Sequence, residues 1–278
     1  MSVRWVVQNN FRTDADDPNW IRKACEKFGL VYEGFKVVPF SDSIPRISDD
    51  MPTVFYGGTG WINKIYKSNP KLPGIFFNPQ STFDYWIGKY KEKALNYGAR
   101  ITTFQEISKE LFPDDQMFFV RPTSDQKEFS GSIMSFGDIK DWCKKIFTDA
   151  PDLGNLPIVL GEPFVLSHEW RLFIVDGKVC TGSQYRTYFV RNTSPNVPEK
   201  VIRFAEEQAA VYSPKPIFVM DICETSGNLY VIEIGCINSA GFYEASIDKI
   251  VTEVSNYLLR TTWQEKLVKK SDGDIEKD

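Results

Sequence analysis

The chain has 278 residues, 42% hydrophobic and 25% charged, with a formal net charge of −4 and a pI near 5.3. This is the composition of a folded chain of one large domain or two to three lobes; it argues against a mainly electrostatic nucleic-acid partner but leaves room for a local basic cleft. Five cysteines without a CxxC pair suggest neither a disulfide framework nor a zinc site and suit a reducing, cytoplasmic setting; the polar start "MSVRWVVQNN" does not read as a signal peptide, and no apolar run approaches the roughly 18 residues of a membrane span.

The first third alternates strand and helix signals. "VRWVVQ" predicts a strand, and "DDPNWIRKACEKFG" a helix with an Asp cap, an early proline and a terminal glycine. "FKVVPF" and "TVFYGG" predict strands, "TGWINKIYK" a helix, "GIFFN" a strand and "TFDYWIGKYKEKALNYG" a long helix. Such alternation implies an α/β layer with a parallel sheet. "MFFVRPT" then predicts a strand, followed by a polar loop and the stretch "KEFSGSIMSF". "GDIKDWCKKIF" predicts a helix, with Ile139, Trp142, Cys143, Ile146 and Phe147 at helical spacing. The next stretch reads as antiparallel, with "VDGKV" a tight hairpin of the Asp-Gly kind. A helix "PEKVIRFAEEQAAVYS" and a second hairpin turning near Ser226 and Gly227 follow. The last helix carries Ile247, Ile250, Val251 and Val254 on one face, and from Lys269 onward a charged, disordered tail is expected.

Three stretches carry residues suited to chemistry. In "GEPFVLSHEWRLFIVDG", Glu162 follows an apolar strand, Glu169 comes seven residues later, and Arg171 shares the strand face of Glu169. That face reads equally well as a solvated one. In "FVMDICETSGNLYVIEIGCIN" a hairpin brings Asp221 and Glu233 onto adjacent strands. Facing carboxylates repel unless a cation lies between them, and Mg²⁺ accepts one or two carboxylates plus phosphate oxygens. The alternative, both pointing outward, is harder for Glu233 inside "YVIEIGC". In "FFVRPTSDQKEFSG", Arg121 ends an apolar strand and Lys127 lies on a polar loop with Ser130 and Gly131. A fixed cation and a lysine on a closing loop suit a polyphosphate. Together the three stretches describe an ATP·Mg²⁺ site.

The order of these pieces resembles the ATP-grasp superfamily, in particular its small stand-alone proteins of bacteria and phages. "EPFVLSHE" is similar to the interlobe linker of D-alanine–D-alanine ligases, including the spacing from Glu162 to Glu169. The resemblance implies an α/β plus α+β chain: an N-terminal α/β region over about 1–80, a first nucleotide-gripping lobe over about 81–160, a second lobe over about 161–265, and a tail. It implies that Glu162 and Phe164 lie at the adenine edge and Glu169 at the ribose. Arg121, Lys127 and Arg171 fall in phosphate-binding and catalytic positions, and Asp221 and Glu233 in those of the metal acids. Two departures stand out: Arg121 replaces the usual lysine, and "EIG" replaces Glu-x-Asn, so Gly235 stands where an asparagine is expected and Asn238 takes the metal role in its place.

The implied activity is an ATP-dependent carboxylate–amine ligation through an acylphosphate, with ATP and Mg²⁺ as cofactors and small-molecule or peptide carboxylates and amines as substrates. The alternative is a non-catalytic nucleotide-binding or structural protein retaining the fold. The glycine-rich "GGTGWIN" lacks the third glycine of a dinucleotide fingerprint and reads as a plain strand-to-helix turn, with an acceptor-site role for Gly57 to Gly60 the other reading. The ligase-like "KSDG" near the C-terminus has too little chain after it to belong to a nucleotidyl-lysine core. The single histidine, His168, excludes a multi-histidine metal site, and Trp61, Trp86 and Tyr90 read as core.

Overall fold

The computed structural model describes residues 2–10, 16–38, 41–46, 48, 50–79, 81–124 and 128–273, with side chains as far as 262. Three sheets organise it. The N-terminal sheet is parallel, in the order β2-β1-β3, from β1 (Arg4–Gln8), β2 (Val31–Phe35) and β3 (Thr53–Tyr56), with α1 (Asp17–Lys27) and α2 (Thr59–Ser68) as its helices. The middle sheet is antiparallel, in the order β4-β7-β5-β6, from β4 (Arg100–Thr103), β5 (Met117–Pro122), β6 (Ser132–Ser135) and β7 (Pro157–Gly161). Helices α4 (Phe104–Ile107) and α5 (Phe136–Asp149) bury Phe104, Ile107, Ile139 and Cys143 with its Val120, Ile158 and Leu160.

The C-terminal sheet, in the order β10-β9-β8-β11-β12, is also antiparallel, from β8 (His168–Val175), β9 (Lys178–Thr187), β10 (Val190–Ser194), β11 (Ile217–Thr225) and β12 (Asn228–Gly235). Its alternation decides where the site falls. Trp170, Leu172 and Ile174 on β8 pack beneath α6 (Glu199–Val211) and α3 (Phe83–Tyr90) with Val201, Ala205, Trp86 and Tyr90. On the opposite face Phe173 and Val175 are buried under α7 (Ile247–Gly273) and the N-terminal sheet with Val219, Ile250 and Trp5. Glu169 and Arg171 continue that second face past the apolar cover. Each large apolar side chain so buried contributes roughly 1.5–3 kcal/mol, which fixes the register of the polar pair beside it.

Several expectations are corrected. The strand expected at "FKVVPF" lies earlier, at β2, because α1 ends at Gly29 (φ +66°) and the chain enters the parallel sheet at once. "GIFFN" forms one bridge only, Gly74 to Val54, since Phe76 N–H donates at 2.8 Å to the Asn238 side chain rather than to a strand. The long helix from Thr82 stops at Tyr90. Lys91 turns to φ +50°, and Leu95 N–H donates to Val231 O at 2.9 Å, so the apolar pair Ala94–Leu95 joins β12. Thus α3 and its exit, assigned to the first lobe, pack on the C-terminal sheet. The expected tail is helical as far as Gly273, leaving 274–278 outside the described residues. Among the described residues no helix is long and apolar enough to cross a membrane, and all five cysteines are free thiols.

Candidate active site

A cleft of about 510 Å³ opens between the middle and C-terminal sheets. Phe119 and Arg121 of β5 form one wall and Glu169, Tyr185, Arg186 and Glu233 the other. Across one end runs the linker from Glu162 to Leu166, which is neither helix nor strand and contributes Glu162, Phe164 and Leu166 to the lining.

The polar face of the C-terminal sheet forms a row in register: Ser183, Arg171, Asp221 and Glu233 lie side by side on β9, β8, β11 and β12. Arg171 donates from Nε and Nη2 to the two Asp221 carboxylate oxygens, each at 2.9 Å, and from Nη1 to Gly241 O at 3.3 Å. Its guanidinium also faces the rings of Tyr243 and Tyr185, at 5.2 and 6.0 Å from their centroids. Burial opposes the Arg171 charge, but the Asp221 carboxylate outweighs it and holds the group above its ordinary pKa. Burial likewise pushes the Glu169 carboxyl up, opposed by the hydrogen bond it accepts from Tyr185 Oη at 2.9 Å and by Arg186 at 3.8 Å.

Two β-bulges aim side chains into the cleft. Glu169 pairs with Arg186 and Trp170 with Gln184, leaving Tyr185 as an extra residue on β9. Asp221 pairs with Glu233 and Ile222 with Val231, leaving Ile232 extra on β12. Each bulge sets two consecutive residues, Tyr185–Arg186 and Ile232–Glu233, along the same cleft. From the other wall, Arg121 Nη1 donates to the bulged Ile232 carbonyl at 3.2 Å, Nε donates to Pro122 O at 3.2 Å, and the guanidinium lies 5.6 Å from the Phe83 ring centroid. Arg121 therefore spans the cleft.

A sequence model of the ATP-grasp domain, the third family of one clade of that superfamily, matches residues 59–254. The chain belongs to this family. No curated protein sequence matches it. Among solved structures, this ATP-grasp chain is similar to the D-cycloserine synthetase DcsG at TM-score 0.64 and 12% identity, over 93% of this chain and 100% of that one. It is similar to D-alanine–D-alanine ligase from Bacillus anthracis complexed with ATP at TM-score 0.60 and 13% identity, over 95% and 100%. A third is the ATP-grasp ligase PsnB complexed with a minimal precursor, at TM-score 0.57 and 11% identity, over 92% and 99%.

Within this ATP-grasp fold the expected site residues divide. Arg121, Glu162, Phe164, Glu169 and Glu233 meet at the cleft. Arg171 and Asp221 pair with each other just behind Glu233, so the arginine expected at the phosphates is turned toward the acid expected at the metal. Lys127 lies outside the described residues, while Ser130 and Gly131 line the cleft. Asn238 is not brought to the acidic row. Its amide donates to Phe55 O at 2.6 Å and Gly74 O at 2.9 Å and accepts from Phe76 N–H and the Cys236 thiol. It stands in for a neighbouring strand, and only 1% of it is exposed. The glycine turn is likewise structural: Gly57 N–H donates to Asn238 O, Gly58 N–H to Gln8 Oε1, and a Cβ at Gly57 would lie 2.6 Å from the Trp61 ring. Trp61, Trp86 and Tyr90 are core.

Sequence reasoning missed Tyr185 and Arg186. Counting back from the Asp176–Gly177 turn places Gln184 opposite Glu169, but bulges at Cys180 and Tyr185 advance the pairing to Arg186. It also missed β4 and α4, for which "TFQE" was a signal: Thr103 and Glu106 form a capping box.

Proposed function

We propose that this ATP-grasp protein is an ATP-dependent carboxylate–amine ligase acting through an acylphosphate, on small-molecule or peptide substrates, in the cytoplasm. The observation that carries the reading is the cleft itself: an extended linker with Phe164 and the buried acid Glu169 at one end, and the cations Arg121 and Arg186 facing the acid Glu233 across it. Three features fit the parts of a nucleoside triphosphate, namely an apolar edge for a base, an acceptor for ribose hydroxyls and charges for phosphates. The similarity to a synthetase and two ligases supports ligation as the class.

The residues fit a hard cation. Among the described residues no group of three or more His, Cys, Asp and Glu is placed around one point, which suits Mg²⁺, a cation that draws most of its ligands from phosphates and water. Glu233 and Asp221 would hold it; a carboxylate oxygen carries two lone pairs, so the bonds from Arg171 to Asp221 are compatible with this role. Bound there, the cation would offset the charge of the phosphates. The chain itself positions and neutralises: Glu169 anchors the ribose, Arg121, Arg186 and Lys127 hold the phosphates, and Arg171 fixes Asp221. The substrate carboxylate oxygen bonds to the γ-phosphorus as the bond to the β-phosphate oxygen breaks and ADP leaves. The amine nitrogen then bonds to the acyl carbon, loses a proton and expels phosphate. No protein nucleophile is required.

The test is Mg²⁺-dependent ADP release with mixtures of amino acids and peptides. Glu233→Gln removes one charge at almost constant volume and lowers turnover by about tenfold or more, the scale of roughly 1.4 kcal/mol. Parent-like turnover in a folded variant overturns the site assignment. A second reading, a nucleotide-binding protein without catalysis, is favoured by Gly235 and by the closed Arg171–Asp221 pair; it predicts that ATP binds and no ADP appears.

A further inference from the structure

Three two-residue turns close hairpins of the C-terminal sheet. Asp176 and Gly177 adopt φ of +52° and +77°, and Ser226 and Gly227 adopt +49° and +77°. Such turns need positive φ at both central residues, and glycine in the second position meets this without steric cost. The third turn joins β9 to β10, with Thr187 opposite Val190, and its central residues are Tyr188 at +44° and Phe189 at +66°. Bulky aromatic residues are rare in this region, and such outliers cluster where side chains serve a ligand. Burial does not explain them, since Tyr188 is 60% and Phe189 50% exposed.

The position of the turn supplies the explanation. Phe189 lines the cleft together with Phe164, Leu166 and Glu169. Tyr188 N–H donates to Ser167 O at 3.2 Å, pinning the tip against the end of the linker. We propose that Phe189 is a specificity-determining residue whose ring covers the nucleoside end of the cleft, held there by a turn that the same sheet elsewhere builds with glycine. The proposal rests on the ATP reading of the cleft. An apolar ring face there excludes water from the base and ribose and adds stacking area.

The double variant Tyr188→Asn, Phe189→Gly installs the residues a turn of this geometry favours. Without nucleotide its Tm rises by about 2–6 °C, as left-handed strain is relieved. Its Kd for Mg·ATP, measured by calorimetry, rises about fivefold or more. Phe189→Tyr, which keeps the ring, retains the parent affinity. A double variant that binds Mg·ATP like the parent overturns the proposal, as does a Phe189→Tyr variant that loses as much as the double variant. A parent protein that binds no Mg·ATP overturns the functional reading and this inference with it.

Discussion

Glu169, Arg171 and Asp221 show how burial sets the behaviour of single residues at this site. The Arg171–Asp221 pair is nearly closed to solvent, with side-chain exposures of 13% and 3%. Removing one member leaves a buried charge uncompensated, so Arg171→Met destabilises the fold by about 3–5 kcal/mol in urea unfolding, and adding Asp221→Asn recovers part of that loss. The Glu169 carboxyl has the opposite character: burial raises its pKa above that of the unfolded chain. Its contribution to stability is thus fully present below the ordinary carboxylate range and is lost as the pH rises through the elevated folded value. Glu169→Gln removes this dependence. The Tm of the variant relative to the parent therefore increases from pH 4 to pH 7; a constant difference would mean that Glu169 does not titrate abnormally.

At the scale of elements, what could be read in advance was what depends on neighbours in sequence. The strand face shared by Glu169 and Arg171, the Asp-Gly and Ser-Gly turns and the Asp221–Glu233 pairing all follow from period and turn chemistry. The ATP-grasp resemblance rested on those pieces, and the family match bears it out. What could not be read depends on contacts across the chain. No local signal tells that Arg171 closes on Asp221, that bulges on β9 and β12 turn Tyr185 and Ile232 inward, or that Asn238 replaces a strand edge. Asn238 lies 164 residues from the Gly74 carbonyl it binds. Asn238→Ala leaves Phe55 O, Gly74 O and Phe76 N–H without this partner and destabilises the fold by about 2–4 kcal/mol in urea. The Mg²⁺ dependence of turnover in the remaining folded enzyme stays that of the parent, which separates a structural asparagine from a ligand.

Across the whole molecule, two contacts tie the nucleotide-facing walls together: Arg121 to Ile232 O, and the segment Ala94–Leu95 to Val231. A ligand that fills the cleft adds contacts to both walls, so it stabilises the native state by mass action. At 100 times its Kd, Mg·ATP contributes about 2.7 kcal/mol, which corresponds to a Tm rise of about 5 °C or more. Absence of a shift under these conditions counts against the nucleotide assignment. The two bulges of β9 carry a consequence for how such a chain can change over generations. Between them they advance the strand by two residues, an even number, so Arg186 stays on the cleft side of the sheet. Loss of one codon between Gly182 and Tyr185 makes the advance odd and sends Arg186 to the α6 side. Substitutions in this strand can therefore accumulate one at a time, but insertions and deletions must come in pairs, and the number of residues from the Asp176–Gly177 turn to Arg186 is under tighter constraint than most of the residues that fill it.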